Sequence, residues 1–407
     1  MARHFSAVVV FLVSFGSLSL LAQGKIPNDP YYKYQFSFHN PGGKLRINTH
    51  SYGPSIEEFD AETGIDLNIE KAWGITTGSK TVVVALLDDG FCYNHPDVKD
   101  NIWHNPGETG TDSNGFAKET NEIDDDHNGY IDDVVGWNFV FDNPDPDCHV
   151  FDGRNRDRIA TYTHSMPAMG IIGAKGNNGI GVAGINWEVS MMLLQIGAQG
   201  QTGIDLARLD RVVKAIHYAA DNGARVINWS GFVEDTRPEK LAALRAAFEY
   251  AAAKNALIVI PAGNRFLNLD DETNCTQPPQ CFDGDNLVKV GEIDFQGNLY
   301  RVPRNSKWVG GSNYGPKHVD IAALAMNYAT DVKDGVGVYR LAGGTSNAAP
   351  VVSGVAALML SVNPKLTAAQ LKTLLMQSVT KLPALRGKIA SEGMVNAYQA
   401  VLAAQGR

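Results

Sequence analysis

Short apolar runs of strand length recur along this chain, and between them the apolar positions return with helical spacing. Thr81-Val82-Val83-Val84-Ala85-Leu86-Leu87 is a continuous run, and Val189 to Ile196, Arg225 to Ser230, Ala256 to Ala262 and Leu287 to Ile293 are further strand candidates. Runs that do not alternate with polar residues are buried on both faces, as in a parallel sheet covered by helices on each side. Ile204, Leu209, Val212, Val213, Ile216 and Ala220 share one helical face that stops at Asn222-Gly223, and Leu241, Leu244, Phe248 and Ala252 share another. Thr236 with Glu239, and Thr367 with Gln370, fit capping boxes. The segments 164–174 and 351–360 read as buried helices. Together these elements predict an α/β fold of three layers, αβα, with a central, mostly parallel sheet.

Sheets of this kind bind ligands beyond the carboxyl ends of their strands. The Thr81 run ends in Asp88-Asp89-Gly90 and the Ala256 run in Gly263-Asn264, so a carboxylate and an amide fall on that edge. His164 opens one buried helix. Ser346 lies in Gly343-Gly344-Thr345-Ser346-Asn347-Ala348-Ala349-Pro350, where a glycine turn delivers a hydroxyl to the first turn of the other. Free N–H groups and the positive end of the helix dipole stand there, so a negative charge beside Ser346 Oγ would be stabilised. An Asp, a His and a Ser around one rim can form a chain in which the carboxylate orients the imidazole and the imidazole deprotonates the hydroxyl. A side-chain amide can then donate to the developing oxyanion.

The length of 407 residues, with 44% hydrophobic and 19% charged, allows a large core, and no repeat or linker divides the chain after about residue 60. A net charge of −9 argues against nucleic acid or an anionic membrane surface as a partner. Arg3 and His4 precede an apolar stretch from Phe5 to Leu21, which reads as a signal peptide over residues 1–23 and predicts secretion to the periplasm or the exterior, with no stable membrane anchor. Export suits the four cysteines. The favoured disulfides are Cys275 with Cys281, around Pro278-Pro279, and Cys92 with Cys148.

The motifs in their order resemble the subtilisin-like serine proteases, the subtilase family, from about Pro27 to Val401. Val84 to Gly90 with His95-Pro96-Asp97 is similar to the family's Asp motif, Gly343 to Pro350 to its Ser motif, and Pro261-Ala262-Gly263-Asn264 to its oxyanion segment. The resemblance implies a serine endopeptidase acting on peptides or proteins through an acyl-enzyme, with Ser346 as nucleophile, His164 as general base, Asp88 as its orienting carboxylate and Asn264 as oxyanion donor. The chain is expected to be a monomer and to need no organic cofactor. Residues 24–60 would be an N-terminal segment of the catalytic domain and 61–407 the peptidase domain, leaving little room for a propeptide. Substrate would meet Ser230, Gly231 and Phe232, the last standing where the family usually has glycine, and Asp89 hints at a basic substrate side chain. In the His motif only His164 and Gly170 match, with Ser165, Met166 and Pro167 departing from the pattern. Two other readings therefore stay open: an inactive, binding form of the fold, and a peptidyl transferase.

Asp124-Asp125-Asp126-His127-Asn128-Gly129-Tyr130-Ile131-Asp132-Asp133 matches a calcium loop, with oxygen ligands at alternate positions and glycine at the sixth, though no Glu stands at the twelfth. The expected ligands are Asp124, Asp126, Asn128, Tyr130 and Asp132, holding a structural Ca2+.

Overall fold

The computed structural model describes residues 23–48, 56–150, 158–159, 163–200, 203–205, 209–233, 237–302 and 310–406. The expected signal peptide lies outside them, apart from its last residue. At the centre is a nine-stranded sheet in the order Thr380–Lys381, Gly393–Met394, Ile321–Leu324, Leu287–Ile293, Leu257–Pro261, Val226–Trp229, Gly78–Asp88, Glu188–Gln195 and Gly136–Asn138. Every neighbouring pair is parallel except the first, Thr380–Lys381 with Gly393–Met394. All five strand expectations are met within a few residues.

Alternation along the Gly78–Asp88 strand builds both faces of the core. Val82, Val84 and Leu86 pack with the helices Ser165–Gly173, Thr345–Val362 and Ala397–Ala404, whereas Ala85 and Leu87 face Leu209–Asp221 and Pro238–Ala253. Ser165–Gly173 is buried at every position, which explains its apolar composition on all sides.

One local expectation changes. Ile204 belongs to a short strand, Gly203–Asp205, rather than to the helix, which is described over Leu209–Asp221. The Thr367 and Gln370 capping box is present with both bonds made, but Thr236 lies outside the described residues and the Pro238–Ala253 helix starts with proline in its first turn. An antiparallel hairpin, Asn327–Lys333 with Val336–Ala342, was not foreseen. It packs on the Ser165–Gly173 helix, where Thr330 Oγ1 donates to the Met166 carbonyl at 2.6 Å. Both expected disulfides form, Cys92 with Cys148 and Cys275 with Cys281, at Cα separations of 4.9 and 5.8 Å.

Candidate active site

Asp88 ends its strand at the carboxyl edge, and both its oxygens face His164 Nδ1, at 2.9 and 3.1 Å. The Asp88 carboxylate, ahead of every other influence, pushes the imidazole up to about 9; burial opposes the rise, Asp89 adds to it and Arg340 works against it. The nitrogen facing the carboxylate is thereby fixed, leaving Nε2 to exchange a proton.

Asp89, expected to favour a basic substrate side chain, is engaged with main-chain donors. Its side chain is buried, with Oδ2 accepting the His164 N–H at 3.0 Å and Oδ1 the Ser165 N–H at 3.2 Å. These are orphan donors at the start of the Ser165–Gly173 helix, and a carboxylate satisfies them with the dipole in its favour. The irregular motif is accommodated in the same turn. Ser165 is buried and its hydroxyl donates to the Gly90 carbonyl. Pro167 lies in the first turn, where a missing N–H breaks no helical bond.

Ser346 is half-buried in the first turn of Thr345–Val362, after Gly344 at φ +94°. Asn264 is exposed beside it. Its Oδ1 accepts both the main-chain N–H and the hydroxyl of Thr345, each at 2.9 Å, while Thr345 Oγ1 accepts the Gly263 N–H at 3.1 Å. With the carbonyl end of the amide engaged, Nδ2 is left as the donor on the open side. Thr345 thus couples the oxyanion segment to the serine motif, a role the sequence reading missed. Ser230, expected to meet substrate, donates its hydroxyl to the Ser346 carbonyl at 2.8 Å and accepts from Asn228 Nδ2 at 3.0 Å. Gly231 and Phe232 are half-buried at the end of the same strand, and Val233 N–H donates to the Pro278 carbonyl at 2.9 Å.

A carboxylate chain to an imidazole, a helix-borne hydroxyl and an oriented amide are the parts needed for acyl transfer. The subtilase family pattern matches residues 79–399. The chain belongs to the subtilase family. A "Subtilisin-like protease 1" of Plasmodium berghei (strain Anka) is 34% identical over 383 residues, 90% of this chain and 58% of that one, and the "Thermophilic serine proteinase" of Bacillus sp. (strain AK1) is 26% identical over 376 residues, 92% and 69%. The chain therefore spans little more than half the length of the Plasmodium relative. Among solved structures, a protease from Pseudoalteromonas arctica superposes with a TM-score of 0.65 at 23% identity, covering 93% of this subtilase and 99% of that chain, which is a likeness of fold. Family membership makes peptides or proteins the substrate class of this subtilase's relatives.

The five expected ligands of the acidic loop have other contacts in this structure. Asp124 spends its carboxylate on the loop backbone, accepting from Asn128 N–H at 3.1 Å and Gly129 N–H at 2.8 Å. Asn128 Oδ1 accepts the Tyr130 N–H at 2.8 Å, and the Tyr130 ring packs edge-on against Trp137 and Tyr218. Asp132 keeps Oδ1 buried and without a partner. Of the five, only Asp126 joins a convergent trio, with Glu108 and Asp133, whose oxygens lie within 4.8 Å of one another. Burial raises the Glu108 carboxyl and pushes Asp133 up to about 6, and the Asp126 charge raises both further. Glu108 is fully buried with Oε2 lacking any hydrogen-bond partner. Three converging oxygen donors and an orphaned carboxylate oxygen fit a hard divalent cation. Glu108 carries no sequence signal, because it stands sixteen or more positions before the loop.

Proposed function

We propose that this subtilase is an exported serine endopeptidase that cleaves peptide bonds through an acyl-enzyme. Ser346 Oγ attacks the scissile carbonyl as His164 Nε2 takes its proton; His164 then gives that proton to the leaving amine, and water repeats the sequence to release the acid. Asp88 holds the tautomer and stabilises the imidazolium. Asn264 Nδ2 and the Ser346 N–H receive the oxyanion. The observation that carries this reading is the intact contact between His164 Nδ1 and Asp88 at 2.9 Å despite the altered His motif, since that motif was the sole support for an inactive form.

The two disulfides support export, as does the 26% identity over 420 residues to the "Extracellular basic protease" of Dichelobacter nodosus. A calcium ion held by Glu108, Asp126 and Asp133 would supply positive charge to a crowded acidic loop and stiffen it; it takes no part in the reaction. The test is labelling with a fluorophosphonate probe. Adduct formation at Ser346, lost in His164→Ala, is expected, and a folded protein that does not react would remove the protease reading. Product analysis with an added amine acceptor distinguishes hydrolysis from peptidyl transfer.

A further inference from the structure

Glu292 interrupts an apolar stripe. Val288 and Val290 lie on one face of the Leu287–Ile293 strand and pack into the core with the Thr345–Val362 helix, so the two-residue period of a strand puts Glu292 on that face too, at its carboxyl end. The side chain is 1% exposed. Oε1 accepts the Gly344 N–H at 2.9 Å, whereas Oε2 is buried with no partner. Burial pushes the carboxyl up to about 7; the Gly344 N–H draws it back and Asp294 adds to the rise.

Packing does not account for an acid here, because an apolar side chain of similar volume would fill the space without desolvating a carboxyl. Gly344 does. At φ +94° and ψ 156° it has a conformation that glycine alone adopts with ease, and its carbonyl accepts from Asn347 N–H at 2.8 Å and Ala348 N–H at 3.2 Å. With Glu292 holding the N–H, Gly344 is fixed from both sides, immediately before Thr345 and Ser346.

We propose that Glu292 is a positioning residue that sets the orientation of the serine turn through Gly344, an inference that rests on reading Ser346 as the nucleophile. Either protonation state of the carboxyl offers an oxygen for the bond, so Glu292→Gln preserves it and Glu292→Leu removes it while keeping the volume. The experiment measures the rate of fluorophosphonate labelling at Ser346, kcat and KM on a peptide, and melting temperature, for the wild type and both variants, with Glu292→Ala replacing the leucine variant if that one does not fold. Expected are a labelling rate and kcat lower by roughly 10²-fold in Glu292→Leu, as for a displacement of about 1 Å at the reacting atoms, with KM little changed, melting temperature maintained, and recovery of most of the rate in Glu292→Gln. A folded Glu292→Leu that labels as fast as the wild type overturns the proposal, as does a Glu292→Gln as slow as Glu292→Leu. A wild-type protein that fails to label at all would instead remove the protease reading on which it rests.

Discussion

Ser230 donates its hydroxyl to the main-chain carbonyl of Ser346 at 2.8 Å, and the cause lies four residues further on. Position 350 is proline, inside the Thr345–Val362 helix. It has no N–H to return to the Ser346 carbonyl one turn earlier, so the serine's own carbonyl loses its usual helical donor. Ser230 supplies the missing donor, and is itself held by Asn228, whose Oδ1 accepts from Ser353 at 2.9 Å. Ser230→Ala is expected to leave a carbonyl without its partner, destabilising the fold by about 1–3 kcal/mol and slowing Ser346 labelling. Thermal melting and probe kinetics check this; a variant unchanged in both would show that the bond does not position Ser346.

Asp89 gives a second prediction, because its two possible tasks separate experimentally. As the acceptor for the His164 and Ser165 N–H groups, it should cost about 1 kcal/mol when replaced by alanine, the ordinary loss for a helix cap. Asp89→Ala should also lower kcat by loosening His164 while leaving the preference among substrate side chains unaltered. Profiling cleavage of a peptide library would decide the matter: a selective loss of basic residues at the cleavage site would restore the substrate-facing role.

Much of this site was legible in the sequence because its parts are local. Asp88, Asn264 and Ser346 stand at element ends that hydrophobic runs mark, and the disulfides formed are the favoured one of the three pairings that four cysteines allow. What escaped depends on contacts across the fold. Asp89 and His164 are 75 positions apart, and Ser230 and Ser346 116 apart, so no local pattern reveals that these side chains bond to backbone. Glu292 left a trace, a carboxylate inside an apolar strand run, whereas Glu108 left none. The hairpin Asn327–Lys333 with Val336–Ala342 was missed because its first strand is buried almost throughout and its second is only half-buried, so neither shows clean alternation.

The pH dependence has opposite signs for folding and for catalysis. His164 is raised from 6.5 to about 9 in the folded protein, chiefly by Asp88, so the ion pair contributes its full stability below 6.5 and loses it as the pH rises through about 9. A base must be neutral to accept a proton. The kcat/KM of the free enzyme should therefore climb on the alkaline side with a midpoint near 9. Asp88→Asn should bring that midpoint down and reduce kcat by roughly 10⁴-fold. A wild-type midpoint at the ordinary 6.5 would show that Asp88 does not hold the imidazole in its charged form.

The acidic loop predicts a dependence on calcium that is thermodynamic rather than chemical. Glu108, Asp126 and Asp133 converge, with Asn105 Nδ2 donating to Asp126 at 2.9 Å and to Asp133 at 2.7 Å, yet Glu108 Oε2 stays unpartnered. Without a cation the three carboxylates repel, and an ion that binds only the folded protein stabilises it by about 3 kcal/mol at a concentration 100 times its dissociation constant. Chelation should lower the melting temperature, and Asp126→Ala or Glu108→Gln should melt earlier and no longer respond to chelator. Because Asp124 is engaged with the Asn128 and Gly129 N–H groups, Asp124→Asn should keep most of the calcium response, which distinguishes the convergent trio from the alternating set suggested by the loop's spacing. A melting curve indifferent to chelator would remove the ion altogether; a response lost in Asp124→Asn but kept in Glu108→Gln would return the site to the loop itself.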